Sequence, residues 1–328
     1  MTPAFPLADG HADSLMWNRD LTAPLRRGQV DLPRLEAAGV RIQAFTVVTR
    51  GYPIVDGFGA FAALRRWPAE ARRGPWARCL FQVDRMHDLC DRSGGRLRLA
   101  ASTAALEENV AAGCVSAVLG VEGAHALEGR PERVEALRAR GVRFMSLTHL
   151  ANNELGGSSS PLQGDRPLTP LGHEVLDAMA AAGISVDLAH ASRRTFRDAL
   201  AHGCARPLCS HTGAGGATRS WRNLDDAEFR AIADRGGVVG IIFATLYLGG
   251  RALDDIVRHV EHALDAAGED AVAFGSDFDG MVPMPREVRD VAGLPRVVDA
   301  LARRRPAAVV EKVAWGNWRR FFGETLGE

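Results

Sequence analysis

Eight short apolar runs, each rich in β-branched residues, alternate with longer stretches along this chain of 328 residues. This alternation constrains the fold more than any other feature of the sequence. The runs predict strands over residues 6–11, 41–48, 115–122, 142–149, 184–190, 206–211, 237–243 and 271–277. Between most of them, apolar residues recur at helical intervals. The clearest predicted helices cover residues 131–140, 169–182, 193–202, 225–235 and 253–267.

The repeated order of strand and helix predicts an α/β protein that folds as a closed (β/α)8 barrel, the TIM barrel. A doubly wound open sheet is the alternative, but its ligands usually bind in one crevice. We expect residues 1–328 to form a single barrel domain, with residues 51–113 as an insertion beside the barrel after the second strand. This insertion is predicted to be helical around residues 81–92, with a weak ninth strand at 96–100.

Side chains that bind metals or transfer protons stand at or just past the carboxyl ends of the predicted strands. They are His11, Asp13, Glu122, His149, His190, His211 and Asp277. Because the carboxyl ends of barrel strands meet at one rim, we expect these side chains to share one polar centre. Imidazole nitrogens and carboxylate oxygens are zinc ligands. The pattern therefore predicts a metal site whose ligands are His11, Asp13, Glu122, His190 and His211.

The spacing of these residues supports a shared site. His11 and Asp13 are two positions apart, so on an extended chain their side chains point the same way. His190 and His211 end consecutive predicted strands, which are neighbours in a barrel. Glu122 has two carboxylate oxygens and can bridge two cations. The remaining histidines differ: His125 follows Glu122 closely and is left open as a rim residue, whereas the others fall in helical stretches, namely His87, His173, His202, His259 and His262.

The composition excludes several function classes. The 40 basic and 40 acidic residues cancel, so nothing recruits nucleic acid or an anionic membrane. Lys312 is the single lysine, which rules out a Gly-Lys-Ser/Thr phosphate loop and nearly excludes a Schiff base. The five cysteines have no Cys-x-x-Cys spacing and are interpreted as reduced thiols, with Cys209 a core residue rather than a ligand. No targeting segment or membrane span is apparent, so a cytoplasmic protein is expected.

Seven motifs, spread over nearly the whole chain, carry a resemblance to a known family. They are Asp-Gly-His-Ala-Asp at 9–13, Gly-Val-Glu-Gly-Ala-His at 120–125, Leu-Thr-His at 147–149, Val-Asp-Leu-Ala-His at 186–190, Ser-His-Thr at 210–212, Arg-Asn at 222–223 and Gly-Ser-Asp-Phe-Asp-Gly at 275–280. In this order they resemble the membrane dipeptidase (renal dipeptidase) family, peptidase family M19, among the amidohydrolase-like barrels.

The resemblance implies a binuclear zinc metallopeptidase with two Zn²⁺ per chain, bridged by Glu122 and a water or hydroxide. His11 and Asp13 would complete one zinc site, and His190 and His211 the other. It also implies roles in catalysis and substrate binding: His149 at the scissile carbonyl, Arg222 at the substrate carboxylate and Asp277 for the proton in transit. Tyr247 is a further candidate for substrate binding. Two roles stay open. Asp279 could transfer the proton in place of Asp277, and Asp187 could orient a ligand histidine or make an ordinary buried polar contact.

These roles also agree with general chemistry. Two zinc ions about 3.5–4 Å apart can activate a shared water near neutral pH. A carboxylate such as Asp277 can take the proton of that water and deliver it to the leaving amine. The forked guanidinium of Arg222 suits a terminal carboxylate.

We therefore expect a dipeptidase that cleaves short peptides with a free C-terminal carboxylate, including a C-terminal D-residue. The alternative is a related amidohydrolase that acts on N-acyl amino acids or a β-lactam-like amide, because the loop after His149 and the segment 242–244 depart from many relatives. A non-catalytic barrel is the third hypothesis. The expected partner is a small peptide, without nucleic acid or membrane, and the family suggests a homodimer. The animal members are anchored outside the cell, whereas no signal or anchoring tail is recognised here.

Overall fold

The computed structural model describes residues 4–51 and 57–328. Residues 52–56, which belong to the predicted insertion, lie outside the described residues. Within the described residues, nine strands form one sheet. They are β1 (Leu7–Asp9), β2 (Val40–Val48), β3 (Leu97–Leu99), β4 (Val115–Glu122), β5 (Val142–Ser146), β6 (Ser185–Asp187), β7 (Leu208–Thr212), β8 (Val238–Ile241) and β9 (Val272–Phe274).

Eight of these strands form the predicted barrel, in the order β1-β2-β4-β5-β6-β7-β8-β9 with all pairs parallel. The amide of Gly10 donates to the carbonyl of Phe274 at 2.9 Å, and Ala12 forms a parallel bridge with Phe278. These bonds bring β1 beside β9 and nearly close the barrel. The predicted (β/α)8 fold is therefore confirmed. The weak ninth strand is also present, because β3 pairs in parallel with the first residues of β4.

Helices connect the strands. They are α1 (Leu32–Ala38), α2 (Gly57–Leu64), α3 (Pro75–Arg92), α4 (Thr103–Ala111), α5 (Arg133–Ala139), α6 (Pro170–Ala182), α7 (Arg193–His202), α8 (Asp226–Ala233), α9 (Thr245–Leu248), α10 (Leu253–Ala267), α11 (Leu294–Ala302), α12 (Ala307–Glu311) and α13 (Asn317–Thr325), with a π turn over Lys312–Gly316 and 3-10 turns over Ser14–Trp17, Glu70–Arg72, Ala124–Leu127 and Val291–Gly293. Side-chain caps stabilise the N-termini of two of these helices. The side chain of Thr169 accepts a hydrogen bond from the amide of Gly172 at the start of α6, and that of Ser192 accepts one from the amide of Thr195 at the start of α7.

The region predicted as an insertion packs closely on the barrel. Helix α3 begins earlier than its apolar pattern suggested and lies against β2 and β3, while α4 packs against α13. Because β3 extends the barrel sheet itself, this region is not purely helical. The division of the chain into one domain with an insertion stays a prediction. Among the helices of residues 4–51 and 57–328, none has the length and apolar character needed to cross a bilayer.

Aromatic residues of the C-terminal helix pack against the barrel strands. Trp318 and Phe322 of α13 belong to one apolar cluster with Ala8, Ile42 and Phe144 of the strands. The indole N–H of Trp318 donates to the carbonyl of Phe274 at 2.7 Å. A Cβ at Gly10 would lie 2.2 Å from this indole, so glycine permits the close contact.

Candidate metal centre

The seven residues predicted from the strand ends all meet at the carboxyl rim. His11 and Asp13 follow β1, Glu122 ends β4, His149 and His190 follow β5 and β6, His211 lies in β7, and Asp277 follows β9. All seven are buried except His149, whose side chain is 13% exposed. Most of them face a cavity of about 340 Å³, which is also lined by Arg222 and Tyr247. The structure thus brings every sequence-predicted site residue to one place.

Three ligand atoms converge on one side of this cluster. Nε2 of His190 lies 3.0 Å from Nε2 of His211 and 3.0 Å from Oε1 of Glu122, and the last two atoms are 3.4 Å apart. Ligand atoms bound tetrahedrally to one zinc stand about 3.3 Å from each other, because each is about 2.0–2.1 Å from the metal. We call His190 and His211 the β6–β7 half of the cluster.

The other side is built from the first strand. Nε2 of His11 lies 3.5 Å from Oδ1 of Asp13 and 3.7 Å from Oε1 of Glu122. The hydroxyl of Thr46 donates to Oδ1 of Asp13 at 2.6 Å, which fixes this carboxylate. Asp277 completes a second group of ligand atoms with His11 and Asp13. We call His11 and Asp13 the β1 half of the cluster.

Glu122 stands between the two halves and is the residue that most needs a partner. Its two carboxylate oxygens are buried, yet neither makes a hydrogen bond of acceptable geometry with any described residue. A buried carboxylate oxygen without a hydrogen bond or a cation is costly. Burial raises the pKa of Glu122 well above its usual value, and the charge of Asp13 adds to this shift. The donor set therefore fits a cation at Glu122.

The two halves differ in protonation. Burial lowers the pKa of His11, but the charges of Glu122, Asp13 and Asp277 outweigh it and raise the pKa to about 10. Burial lowers the pKa of His190 and His211 well below the usual value, and the positive charge of Arg222 lowers both further. At neutral pH the β6–β7 half therefore offers neutral imidazoles, whereas His11 carries a proton that a metal must displace.

Asp277 is placed to exchange protons at this cluster. It lines the cavity, and its backbone adopts a left-handed conformation with φ 65°, which is strained for a residue other than glycine. Burial raises its pKa to about 7, with a further contribution from Asp13 against the opposing charge of His11. A carboxyl group with a pKa near the working pH suits general acid–base catalysis.

Asp279 has a different environment from that of Asp277. Its carboxylate accepts hydrogen bonds from the hydroxyl of Ser14 at 2.7 Å, from Arg19 at 3.0 Å and from the amide of Gln29 at 3.0 Å. These contacts hold the segment after β1 against the segment after β9. The orientation of the two side chains favours Asp277 as the proton-transfer candidate, because Asp277 lines the cavity and Asp279 holds the surrounding loops.

His149 approaches the cluster with a defined ring orientation. Its Nδ1 lies 3.2 Å from the carbonyl oxygen of Arg50, and its Nε2 lies 3.5 Å from Oε2 of Glu122. Since a carbonyl only accepts, Nδ1 is the donor. Burial lowers the pKa of His149 to about 4, so at neutral pH its Nε2 presents a lone pair to the cavity. Donating a hydrogen bond from Nε2 requires a second proton on the ring.

Arg222 is a buried cation at the cavity wall, not a partner in a surface salt bridge. It is 3% exposed, and its Nη2 donates to the carbonyl of His211 at 2.7 Å. Its Nε is buried and makes no hydrogen bond with any residue that the structure describes. The guanidinium therefore brings a positive charge to the cavity wall, where an anion can bind. Beside it, Tyr247 contacts Trp221 edge to face, with ring centroids 5.5 Å apart.

The structure adds residues that sequence reasoning missed. Met16, Val48, Phe58, Trp221 and Met281 form apolar walls of the cavity. Val48 ends the predicted strand β2, but the other four lie in turns, loops or the predicted insertion, where no local pattern marks them. Among the residues left open, the carboxylate of Asp187 accepts from the amides of Ala189 and Ser210, not from an imidazole of the cluster. Cys209 is buried outside the groups of ligand atoms found among the described residues, and His125 is buried beside Thr49.

A parallel barrel with histidines and carboxylates converging at its carboxyl rim defines the class of metal-dependent hydrolase barrels. The model of the family Membrane dipeptidase (Peptidase family M19) matches residues 1–326. The chain belongs to this family, and it is accordingly a dipeptidase-type hydrolase among the metallopeptidases. The resemblance found in the sequence is confirmed.

Relatives agree with this assignment. Dipeptidase verJ from Clonostachys rogersoniana is 32% identical over 228 residues, covering 68% of this chain and 58% of that protein. An uncharacterized protein in the pqqA 5′ region of Klebsiella pneumoniae is 35% identical over 253 residues, covering 73% and 93%. A metallo peptidase from Rhodobacter sphaeroides, crystallised with a phosphinate mimic of the dipeptide L-Ala-D-Ala, superimposes with a TM-score of 0.85 at 26% identity, covering 98% of this chain and 100% of that one.

Proposed function

We propose that this protein is a zinc-dependent dipeptidase that hydrolyses short peptides with a free C-terminal carboxylate, including peptides that end in a D-residue. The observation that carries the proposal is the environment of Glu122. Its buried oxygens make no hydrogen bond with described residues, and they lie among the imidazole nitrogens of His11, His190 and His211.

Two metal ions fit the ligand atoms of the two halves. His11, Asp13 and Glu122 would hold one zinc, and Glu122, His190 and His211 the other. Bound in this way, a pair of zinc ions supplies a nucleophilic water near neutral pH and polarises the carbonyl under attack. Mixed imidazole and carboxylate ligands are suited to zinc.

The surrounding residues would bind the substrate and move the proton. Asp277 takes the proton of the attacking water on a carboxylate oxygen and passes it to the amine of the leaving residue. Arg222 lines the cavity and binds the C-terminal carboxylate through its guanidinium group. Tyr247 lines the same wall. His149 contacts the scissile carbonyl oxygen, and because its Nδ1 is committed to the carbonyl of Arg50, its ring must gain a proton to donate there.

The size of the cavity and one relative support the dipeptide substrate. A volume of about 340 Å³ is at the small end for ligand pockets, which suits a substrate of two residues. The apolar walls of Met16, Val48 and Phe58 accommodate an uncharged side chain. The Rhodobacter sphaeroides relative binds a phosphinate mimic of L-Ala-D-Ala, which supports a D-residue at the second position.

Turnover of a dipeptide library tests the proposal. The library carries L- and D-residues at the second position, and each member is assayed with metal-stripped enzyme before and after zinc is restored. We expect two metal ions per chain by elemental analysis, and hydrolysis of both stereochemical series only in the presence of metal. Full activity of the stripped preparation would remove the proposal. Hydrolysis of the L-series alone would remove the D-residue preference and leave the dipeptidase.

An amidohydrolase that acts on N-acyl amino acids or a β-lactam-like amide is the alternative. One observation favours it: among the described residues, the carboxylates that line the cavity are Asp13, Glu122 and Asp277, all within the metal cluster. A free substrate ammonium would therefore lack a separate carboxylate partner in the described wall. Dipeptides assayed beside their N-acetyl derivatives and a β-lactam distinguish the two functions. The homodimer stays a prediction, which light scattering of the purified protein tests.

A further inference from the structure

Ser210 lies beside two ligand histidines of the cluster, on the side of their rings that faces away from Glu122. It is a fully buried residue of β7, directly before His211. Its Oγ lies 2.9 Å from Nδ1 of His211 and 3.1 Å from Nδ1 of His11. One hydroxyl group thus contacts an imidazole from each half. The backbone amide of Ser210 donates to Asp187 at 2.9 Å, which fixes the position of this hydroxyl.

The ring orientations determine what this hydroxyl does. Nε2 of His11 and Nε2 of His211 both point toward Glu122, and their Nδ1 atoms both point toward Ser210. A neutral imidazole that binds a metal through Nε2 carries its proton on Nδ1. Both Nδ1–H groups are then donors. A serine oxygen has two lone pairs, so it can accept both hydrogen bonds at once.

We propose that Ser210 is the positioning residue shared by the two zinc sites: its Oγ accepts the Nδ1–H of His11 and of His211, and so fixes the tautomer and orientation of one ligand of each metal. Hydrogen bonds of this kind orient a ligand histidine and raise its basicity. Because a single oxygen serves both ligands, the affinities of the two sites depend on it together. This inference rests on the metal centre proposed above.

Two other buried hydroxyl groups provide comparisons, Thr46 beside the β1 half and Ser116 near the start of β4. Thr46 donates to Asp13 at 2.6 Å and lies 3.3 Å from Nε2 of His11, so it contacts the β1 half alone. Ser116 is fully buried in β4, and its hydroxyl makes no hydrogen bond with any described residue. Removing the hydroxyl of Thr46 shows the effect of losing a contact with one zinc site. Removing the hydroxyl of Ser116 shows the general effect of deleting a buried oxygen.

The experiment measures zinc affinity, not turnover. The metal-stripped wild type and the variants Ser210→Ala, Thr46→Val and Ser116→Ala are titrated with zinc against a chromophoric chelator. We expect Ser210→Ala to weaken both sites, each by about 10–100-fold. Thr46→Val should weaken one site, and Ser116→Ala neither. Ser210→Thr, which keeps the hydroxyl, should restore part of the affinity at both sites.

A measurement on the wild type needs no variant. In zinc-loaded protein labelled with ¹⁵N-histidine, the nitrogen shifts report which ring atom carries the proton. We expect His11 and His211 in the Nδ1–H form, with both protons protected from exchange and this protection lost in Ser210→Ala. An Nε2–H form for either ring, or equal affinities in wild type and Ser210→Ala, would overturn the inference and leave the proposed function intact. A wild type that binds no zinc would overturn the proposed function instead.

Discussion

The two halves of the cluster use the same kinds of side chain in opposite electrostatic states. In the β1 half, three carboxylates surround His11 and raise its pKa to about 10 despite burial. In the β6–β7 half, burial lowers the pKa of His190 and His211, with a further contribution from the charge of Arg222 at His190 and from the charges of His11 and Arg222 at His211. The imidazoles of the two halves therefore differ in pKa because different charges surround them. The β6–β7 half is already prepared to bind a cation, whereas the β1 half must release a proton first.

The largest effect is expected from the residue that the halves share. In Glu122→Gln, the charge that bridges both halves is lost, so we expect zinc binding to fail at both and activity to fall by about a thousand-fold or more. Elemental analysis and kcat/KM measure the two losses. The control is Glu107→Gln, an exposed carboxylate paired with Arg319, which should retain two zinc ions. A Glu122→Gln protein that still held two zinc ions would show that the halves bind independently.

Removing the proton carrier should separate chemistry from metal binding. In Asp277→Asn, the side chain can no longer accept a proton, and we expect kcat to fall by about 10²–10⁴-fold while both zinc ions stay bound. Asp279→Asn is the matched control. It should lower the melting temperature, because its carboxylate holds Ser14, Arg19 and Gln29, with a much smaller effect on kcat. A similar loss of kcat in both variants would contradict the distinction between the two carboxylates.

The role proposed for Arg222 links substrate binding to the β6–β7 half. In Arg222→Met, loss of charge-assisted hydrogen bonds worth about 1.5–3 kcal/mol should lower kcat/KM by about 10–150-fold, mainly through KM. The effect should be specific for the substrate carboxylate. Wild type should prefer a dipeptide to its C-terminal amide, and the variant should lose that preference. Arg219→Met, an exposed neighbour, is the control. An unchanged preference in Arg222→Met would place the carboxylate elsewhere.

The smallest effect concerns protons released on metal binding. Because the pKa of His11 in the metal-free protein is about 10, this ring is protonated at pH 7, and zinc must displace its proton. Raising the pH removes the competing proton, so zinc affinity in the β1 half should rise by up to about ten-fold per pH unit below that pKa. Calorimetry in buffers of different ionisation enthalpy counts the protons. His11→Ala should release about one proton fewer than wild type. Equal counts would contradict the difference between the halves.

Much of the site could be predicted because each residue is marked by its local position. His190 follows a strand and His211 lies in the next one, and in a barrel consecutive strands are neighbours, so their convergence follows from the fold class. Most of the apolar wall residues of the cavity cannot be recognised from their position along a strand. Phe58 lies in α2 and Trp221 in the loop before Arg222, and only the folded chain brings them beside the cluster.

Orientation was the other property that local pattern could not supply. Asp277 and Asp279 are two positions apart and chemically identical, yet one lines the cavity and the other holds the loops around it. The same holds for Ser210. Its hydroxyl contacts His211, the next residue in the sequence, and also His11, which is 199 positions away.

The sequence alone determined the order of strands and helices, the barrel that follows from that order, and the set of residues at its carboxyl rim. These depend on periodicity and on position along a strand, which are local. The tertiary structure decided which nitrogen each histidine presents, which of them carry a proton, and which walls enclose the substrate. Those properties depend on distances between charges and on exclusion of water, and both arise only when distant segments pack together.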